Sequence, residues 1–398
     1  MDGICCFPLA LRLGASSAGL RSMTITRRPF LVAAVLSLIG AALIVSRAQV
    51  GTDTLPAELN DRAFWQMVTD FSEPDGVFRS DNFVSNERTY QEVIPELKQR
   101  ALPNGVYLGV GPDQNLTYIT ALQPRMAFII DIRRQNLVQH LLYKAIVEMS
   151  DDRGDYLARL FSRPRPAGLD ESSSPKALFD AYEEVPATDE LFQKNLAAIQ
   201  NWLVVRHGFA LTAGDLEGLE YVYQAFFSEG PGLRYSFPRS RLRIFPTYAE
   251  LLMAADRGGV NHSYMASEPN FRRLREIERR NLLVPIVGDF AGDKAIRAVG
   301  QYLRQHGATA NYFYTSNVEQ YLFQNDAFRR YYANVATLPL GEKSTFIRAY
   351  FDMGFLYPPG IVTADLHSVQ LLNGIPRLLN AFGAGVIGSY DDLIEQSK

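Results

Sequence analysis

Two apolar runs, each short and joined through a glycine turn, constrain this chain more than any other feature. Val106 to Val110 (VYLGV) leads into Gly111-Pro112-Asp113-Gln114-Asn115, and Leu116 to Leu122 then has the length of about two helical turns. Met126 to Ile132 (MAFIIDI) is a second apolar run, closed by Arg133-Arg134. Strands that are apolar throughout belong inside a parallel sheet, and strand, turn, helix, strand is the unit that builds one. The pattern resumes far downstream. Leu282 to Val287 ends in Gly288-Asp289, Asp293 to Gln305 reads as helix, and Ala310 to Thr315 (ANYFYT) ends in Ser316-Asn317. Val318 to Asn334 reads as helical and Thr345 to Phe351 as the last strand, with no closing pair of strands evident beyond it. The expected fold class is α/β: a doubly wound, mostly parallel sheet, with a large helical insertion (about 135–280) between the second and third strands.

The first 48 residues stand apart from this pattern. Arg27-Arg28 precede a sixteen-residue apolar run, Phe30 to Val45, and Ser46-Arg47-Ala48 puts small residues at the −3 and −1 positions of a cleavage point before Gln49. This is the three-part build of a secretory signal, and Thr-Arg-Arg-Pro-Phe-Leu has the form of a twin-arginine export signal starting from Met23. The expectation is export across the inner membrane to the periplasm, or anchoring by the same segment if it is not cleaved. Both cysteines, Cys5 and Cys6, lie in it, so the rest of the chain can form no disulfide. The remainder divides into N-terminal helices with a polar loop (49–104), the α/β domain (105–352) and a mainly helical C-terminal extension (353–398).

In a doubly wound sheet, ligands bind across the carboxyl ends of the strands, near the point where strand order reverses. Four strand ends here carry groups suited to a small nucleoside-like ligand. Gly109-Val110-Gly111 allows close backbone approach, with a helix N-terminus behind it for an anionic group. Asp131, 20 residues beyond Gly111, stands where a carboxylate accepts ribose hydroxyls. Asp289 can accept from an exocyclic amine, and Asn317 closes the site. A nicotinamide-dependent reductase has a related turn, G-x-G-x-x-G, but Gln114 occupies the third glycine position.

Other chemistries are excluded more directly. The 40 basic against 43 acidic side chains offer no excess of cations for nucleic acid. The five histidines form no H-E-x-x-H motif, and neither a G-x-S-x-G elbow nor a phosphate-binding P-loop occurs.

GVYLGVGPDQN, FIIDIRRQN, LFSRPRP, NLLVPIVGDFAG and FYTSNVEQYLF resemble a group of uncharacterised bacterial proteins with the fold of class I AdoMet-dependent methyltransferases, over about Arg62 to Arg348. The resemblance implies S-adenosyl-L-methionine as cofactor. It implies Gly109 and Gly111 at the methionine-binding turn and Asp131 at the ribose; Asp113, which replaces the third glycine of that turn, is instead a candidate to hold the ligand's ammonium. Asp289 and Phe290 fall at the adenine, with Ser316 and Asn317 beside the transferred methyl. Asn317 and Tyr314 are the candidates for a catalytic role, and no general base is assigned. Tyr107 stands where such enzymes often carry an acid.

Each of these residues also has a purely structural reading. Asp131 can pair with Arg133 or Arg134, Gly288-Asp289 can be a helix-capping turn, and Ser316-x-x-Glu319 is a literal capping box. Asn82, Ser85 and Glu87 in the polar loop Ser72–Glu87 can be a lid over the ligand or ordinary turn residues. Tyr312 and Tyr314 alternate with Phe313, so one face of that strand is core. The leading expectation is an AdoMet-binding protein of methyltransferase-like fold. Its alternative is an exported, non-catalytic binding protein on the same scaffold.

Overall fold

Strand pairing follows from the apolar runs. β1 (Val106–Gly109), β2 (Met126–Asp131), β3 (Leu283–Val287), β4 (Ala310–Ser316), β5 (Thr345–Phe351) and β6 (Ser368–Gly374) form one sheet in the order β3-β2-β1-β4-β5-β6. The first five are mutually parallel, with Leu108 opposite Phe128 on one side and Phe313 on the other. Every residue of β1, β2 and β3 is buried, as strands covered on both faces must be. From β1 the chain steps outward to β2 and β3, then crosses back to β4 on the opposite side of β1. The reversal point therefore lies between β1 and β4. This computed structural model describes residues 53–100, 105–235, 245–351 and 368–397. The proposed export segment and both cysteines lie outside the described residues. Among the described residues no helix is long and apolar enough to cross a membrane.

Two helices precede the sheet, α1 (Asp61–Phe71) and α2 (Ile94–Arg100), and α3 (Gln114–Leu122) joins β1 to β2. Between β2 and β3 run α4 (Arg134–Met149), α5 (Arg153–Leu160), α6 (Pro175–Glu183), α7 (Asp189–Asn201), α8 (Ala213–Glu229), α9 (Tyr248–Met253) and α10 (Glu268–Arg279). A π-helical turn, Trp202–Arg206, continues α7. Then come α11 (Ala295–Gln305), α12 (Val318–Gln324), α13 (Phe328–Val335), α14 (Ile375–Gly383) and α15 (Tyr390–Glu395). Local chemistry sets their starts. Asn60 caps α1 through Ala63 N at 2.9 Å, and Thr212 with Asp215 and Thr247 with Glu250 form capping boxes on α8 and α9. α4 is buried along nearly its whole length, polar Gln139, His140, Lys144 and Glu148 included. Those four must therefore find partners inside the protein.

Three sequence expectations are corrected. The sheet does not stop at Phe351: Ser368–Gly374 pairs antiparallel with β5 over seven residues, so part of the extension expected to be mainly helical is strand. Ser368, Gln370 and Asn373 are buried although polar, while apolar Val369 and Leu372 are only half-buried, so no clean apolar/polar alternation marks the strand. Among the N-terminal helices, the spacing of Tyr90, Val93, Ile94 and Leu97 predicts one over roughly Asn86–Ala101, but it begins only at Ile94, with turns before it. Pro95 sits in its first turn, where a missing N–H costs nothing. The helical stretch expected over Val318–Asn334 is interrupted at Asp326, whose φ is +52°, and forms two helices.

Candidate functional site

A cavity of about 380 Å³ opens at the carboxyl ends of β1, β2, β3 and β4 and spans the reversal point. Gly111, Asp131, Asp289, Phe290, Ser316 and Asn317 all line it, so six of the expected site residues, remote in sequence, meet at one crevice.

The glycine turn after β1 is held rigid from behind. Asn115 Nδ2 donates to the carbonyls of Val110, Gly111 and Pro112 at 2.9, 3.1 and 2.8 Å, and His140 Nε2 donates to Gly111 O at 2.9 Å. Burial pushes the His140 imidazole down to about 4, so it is neutral and serves as a fixed donor. Gly111 has φ +81°, a conformation that L side chains rarely adopt. Gly109 does not reach the cavity. A Cβ there would lie 2.0 Å from Asn115 Oδ1 and 2.8 Å from the Tyr107 ring, so this glycine makes room for the protein's own side chains rather than for a ligand. Asp113 is also outside the cavity, buried, with Oδ1 unpartnered, and burial pushes its carboxyl up to about 7. It is not placed to hold a ligand's ammonium. Tyr314 is fully buried and meets the site through its hydroxyl, which bonds Glu87 and Gln114.

Asp131 faces the cavity but is already engaged. Its Oδ1 accepts from Arg133 Nε at 2.9 Å and from Arg133 N at 3.0 Å, and its Oδ2 accepts from Arg133 Nη2 at 2.9 Å. The same guanidinium donates through Nη1 to the carbonyls of Ser80 and Asp81, tying the polar loop to the end of β2. The pairing reading therefore holds for Asp131. Asp289 is freer: Oδ1 accepts only from Ala291 N at 2.9 Å, and Oδ2 has no hydrogen-bond partner among the described residues. It does not cap α11. That N-terminus is capped by Glu73, whose Oε1 accepts from Lys294 N (2.7 Å) and Ala295 N (2.9 Å) and whose Oε2 accepts from Asp289 N (2.9 Å).

The capping box at the end of β4 is absent. Glu319 turns inward to pair with Arg348 and to accept from Tyr332 Oη at 2.9 Å, while Ser316, at φ +50°, turns its hydroxyl to Glu87. Glu87 is buried in the cavity wall. Oε1 accepts from Tyr314 Oη at 2.6 Å and from Ser316 Oγ, and Oε2 accepts from Gln370 Nε2 at 2.8 Å. Gln114 Nε2 donates to Tyr314 Oη at 2.9 Å, which directs the tyrosine proton at Glu87. Burial raises the Glu87 pKa above the ordinary carboxylate range, and Ser316, Tyr314 and Gln370 pull against that rise. At the mouth, Phe78 and Tyr321 meet edge to face with centroids 5.3 Å apart, and the Arg133 guanidinium lies 5.7 Å from the Phe78 ring centre.

Sequence reasoning did not find Glu73, Gln370 or the aromatic mouth, and treated Gln114 only as a departure from the dinucleotide motif. Glu73 had a readable signal, an acid in a turn-rich loop, but nothing in the sequence ties it to α11. Among the described residues no group of three or more His, Cys, Asp or Glu is arranged to hold a metal ion.

Strand order and crevice together define a doubly wound α/β protein with a ligand-sized cavity at its reversal point. Residues 82–373 match the family described as a domain of unknown function, DUF7790, and the chain belongs to that family. No curated protein matches. Among solved structures, the rRNA methyltransferase aviRa from Streptomyces viridochromogenes is similar at a TM-score of 0.28 and 13% identity, covering 73% of this chain and 86% of that one.

Proposed function

We propose that the cavity binds S-adenosyl-L-methionine and that the protein is an AdoMet-binding member of the methyltransferase-like α/β proteins, with methyl transfer as its reaction class. In this reading the helices between β2 and β3 are an insertion into a methyltransferase-like sheet. The observation that carries the proposal is the convergence of Gly111, Asp289, Phe290 and Ser316-Asn317 on one cavity at the reversal point. The residues fit such a ligand. The volume of about 380 Å³ lies within the range of small-molecule sites, Gly111 keeps side-chain atoms out of the turn, and Asp289 Oδ2 is open to an amine donor. AdoMet would supply an activated methyl group. The protein's own part is then to hold donor and acceptor in line, for which the rigid turn and strand ends are suited.

The non-catalytic alternative draws on Asp131, whose engagement by Arg133 removes one polar group from the ligand's reach. Calorimetric titration of the full chain with AdoMet and S-adenosylhomocysteine tests the proposal. We expect saturable binding of both, weakened about tenfold by Asp289→Ala. Heat-silent titrations with both ligands overturn it. Binding of both with no methyl incorporation into any acceptor class favours the non-catalytic alternative.

A further inference from the structure

The buried carboxylates among the described residues fall into three kinds. Asp131, Glu148, Asp215, Glu268 and Glu319 each pair with a cation, Arg133, Lys144, Arg134, Arg153 and Arg348 respectively. Asp113 and Glu278 have no ion pair and leave one oxygen without any hydrogen bond. Burial drives these two up to about 7 and about 8, as befits acids kept neutral inside a protein. Glu87 belongs to neither kind. Both of its oxygens accept hydrogen bonds, from Tyr314, Ser316 and Gln370, which is the donor set of a charged carboxylate. Yet no Lys, Arg or His pairs with it among the described residues. It is also the one of the eight that lines the cavity without a protein cation beside it. A charge held by neutral donors and facing an open volume lacks only its counter-ion.

We propose that Glu87 is the seat of a protonated aliphatic nitrogen of the ligand, an ammonium or guanidinium that completes the ion pair the protein leaves open. The proposal rests on the cavity being a ligand site, as argued above, but does not require the ligand to be a nucleoside. The surroundings favour a cation. Three carboxylates line the cavity, Glu87, Asp131 and Asp289, against two guanidiniums, of which Arg133 is neutralised by Asp131 and Arg79 is exposed, and Phe78 and Tyr321 present aromatic surface at the mouth. Ser316 pays for its contact with a left-handed backbone (φ +50°), and Gln370 reaches Glu87 from the far edge of the sheet, so the cradle is assembled from three separate parts of the chain.

The nitrogen could come from the amino-acid end of the nucleoside or from a separate amine bound beside it, and two sets of titrations on the full chain distinguish these sources. The first compares S-adenosylhomocysteine, which has the ammonium, with 5′-methylthioadenosine, which lacks it, in wild type and Glu87→Gln. The second titrates agmatine and butane-1,4-diamine, with butane-1,4-diol as neutral control, with and without methylthioadenosine. We expect Glu87→Gln to weaken S-adenosylhomocysteine at least about tenfold and leave methylthioadenosine unchanged. If instead both nucleosides bind Glu87→Gln as they bind wild type, while the diamine or agmatine binds wild type only, the nitrogen belongs to a second ligand and the proposal stands. Amine binding that depends on Glu87 in a protein silent to both nucleosides removes the AdoMet reading and keeps this one. Equal losses for every probe, or none for any, overturn it, as does a wild type that binds no probe. Glu87→Asp, which keeps the charge, is expected to retain the preference for the charged probes, and its failure to do so also counts against the proposal.

Discussion

Glu148 and Glu87 are both buried, and each accepts hydrogen bonds from three side chains, yet they sit in opposite kinds of surroundings. Glu148 receives Lys144 Nζ at 2.6 Å, His207 Nε2 at 2.7 Å and Trp202 Nε1 at 2.7 Å, and His207 Nδ1 continues to Asp61 at 2.7 Å. Against the opposing pull of burial, His207 and Lys144 hold the Glu148 pKa below the ordinary range. That cluster is a closed ion network beneath α4, joining it to α1 and the π-helical turn. Glu87 has three neutral donors, a raised pKa and open space in front of it. The contrast separates two uses of a buried charge: one is satisfied by the fold itself, the other is left for something the fold does not contain.

The largest expected effect lies in the closed network. Lys144 is buried, and its ammonium also donates to the Glu278 carbonyl. Lys144→Met leaves Glu148 short of one cation and Glu278 short of the positive charge that moderates its pKa. Breaking a buried pair in this way costs about 3–5 kcal/mol, and urea unfolding should register it. Affinity for S-adenosylhomocysteine should not move. A loss of stability under about 1 kcal/mol would erase the distinction between the two sites.

The parallel core was legible because strands covered on both faces must be apolar throughout, as VYLG and MAFIID are. The strand ends were legible because a polar or glycine residue directly after such a run has to sit at a sheet edge. That logic located Gly111, Asp131, Asp289 and Ser316-Asn317, and the family resemblance added Phe290. It failed where a side chain answers to a distant partner. Gly109 is glycine because of Asn115 and Glu319 turned from a helix cap to Arg348, whereas the pairing of Asp131 with Arg133 was already one of the two readings its neighbours in the sequence allowed. β6 was hidden because its buried polar residues Gln370 and Asn373 serve Glu87 and the C-terminal helix, which breaks the apolar alternation. Glu87 itself reads as turn chemistry until the fold brings Ser316 and Gln370 to it.

A smaller effect, on the cavity side, comes from acid. His140 anchors the glycine turn as a neutral donor, with its folded pKa at about 4 against an ordinary 6.5. A histidine with a depressed folded pKa contributes stability that is complete above 6.5 and is lost as pH falls toward 4, because only the unfolded chain takes up the proton in between. The loss over that window is roughly 3 kcal/mol. His207 behaves in the opposite sense. Burial opposes its charge, but Glu148 and Asp61 raise its pKa, so its contribution is full below 6.5 and fades as pH rises through the folded value. Unfolding midpoints of wild type and His140→Gln between pH 4 and 7 should differ in slope, with the variant flatter. Identical slopes would mean that the turn does not depend on a neutral His140.

The smallest effect sharpens the comparison most. Glu87 has a raised folded pKa, so in the absence of ligand its contribution to stability declines as pH rises from about 4.5 to the folded value. Glu148, with a lowered pKa, contributes stability above the ordinary 4.5 and loses it in acid. Glutamine titrates in neither place. Glu148→Gln should therefore be less stable than wild type at pH 7, while Glu87→Gln should stay within about 1 kcal/mol of it or exceed it, since the amide exchanges one accepting oxygen for relief from a desolvated charge. Melting temperatures of both variants across pH 5–8 supply the comparison. If Glu87→Gln falls as far as Glu148→Gln at neutral pH, Glu87 is a structural acid like its counterpart. If it holds its stability while losing the charged probe, the open ion pair was built for a ligand, and the folded protein bears the desolvation until that ligand arrives.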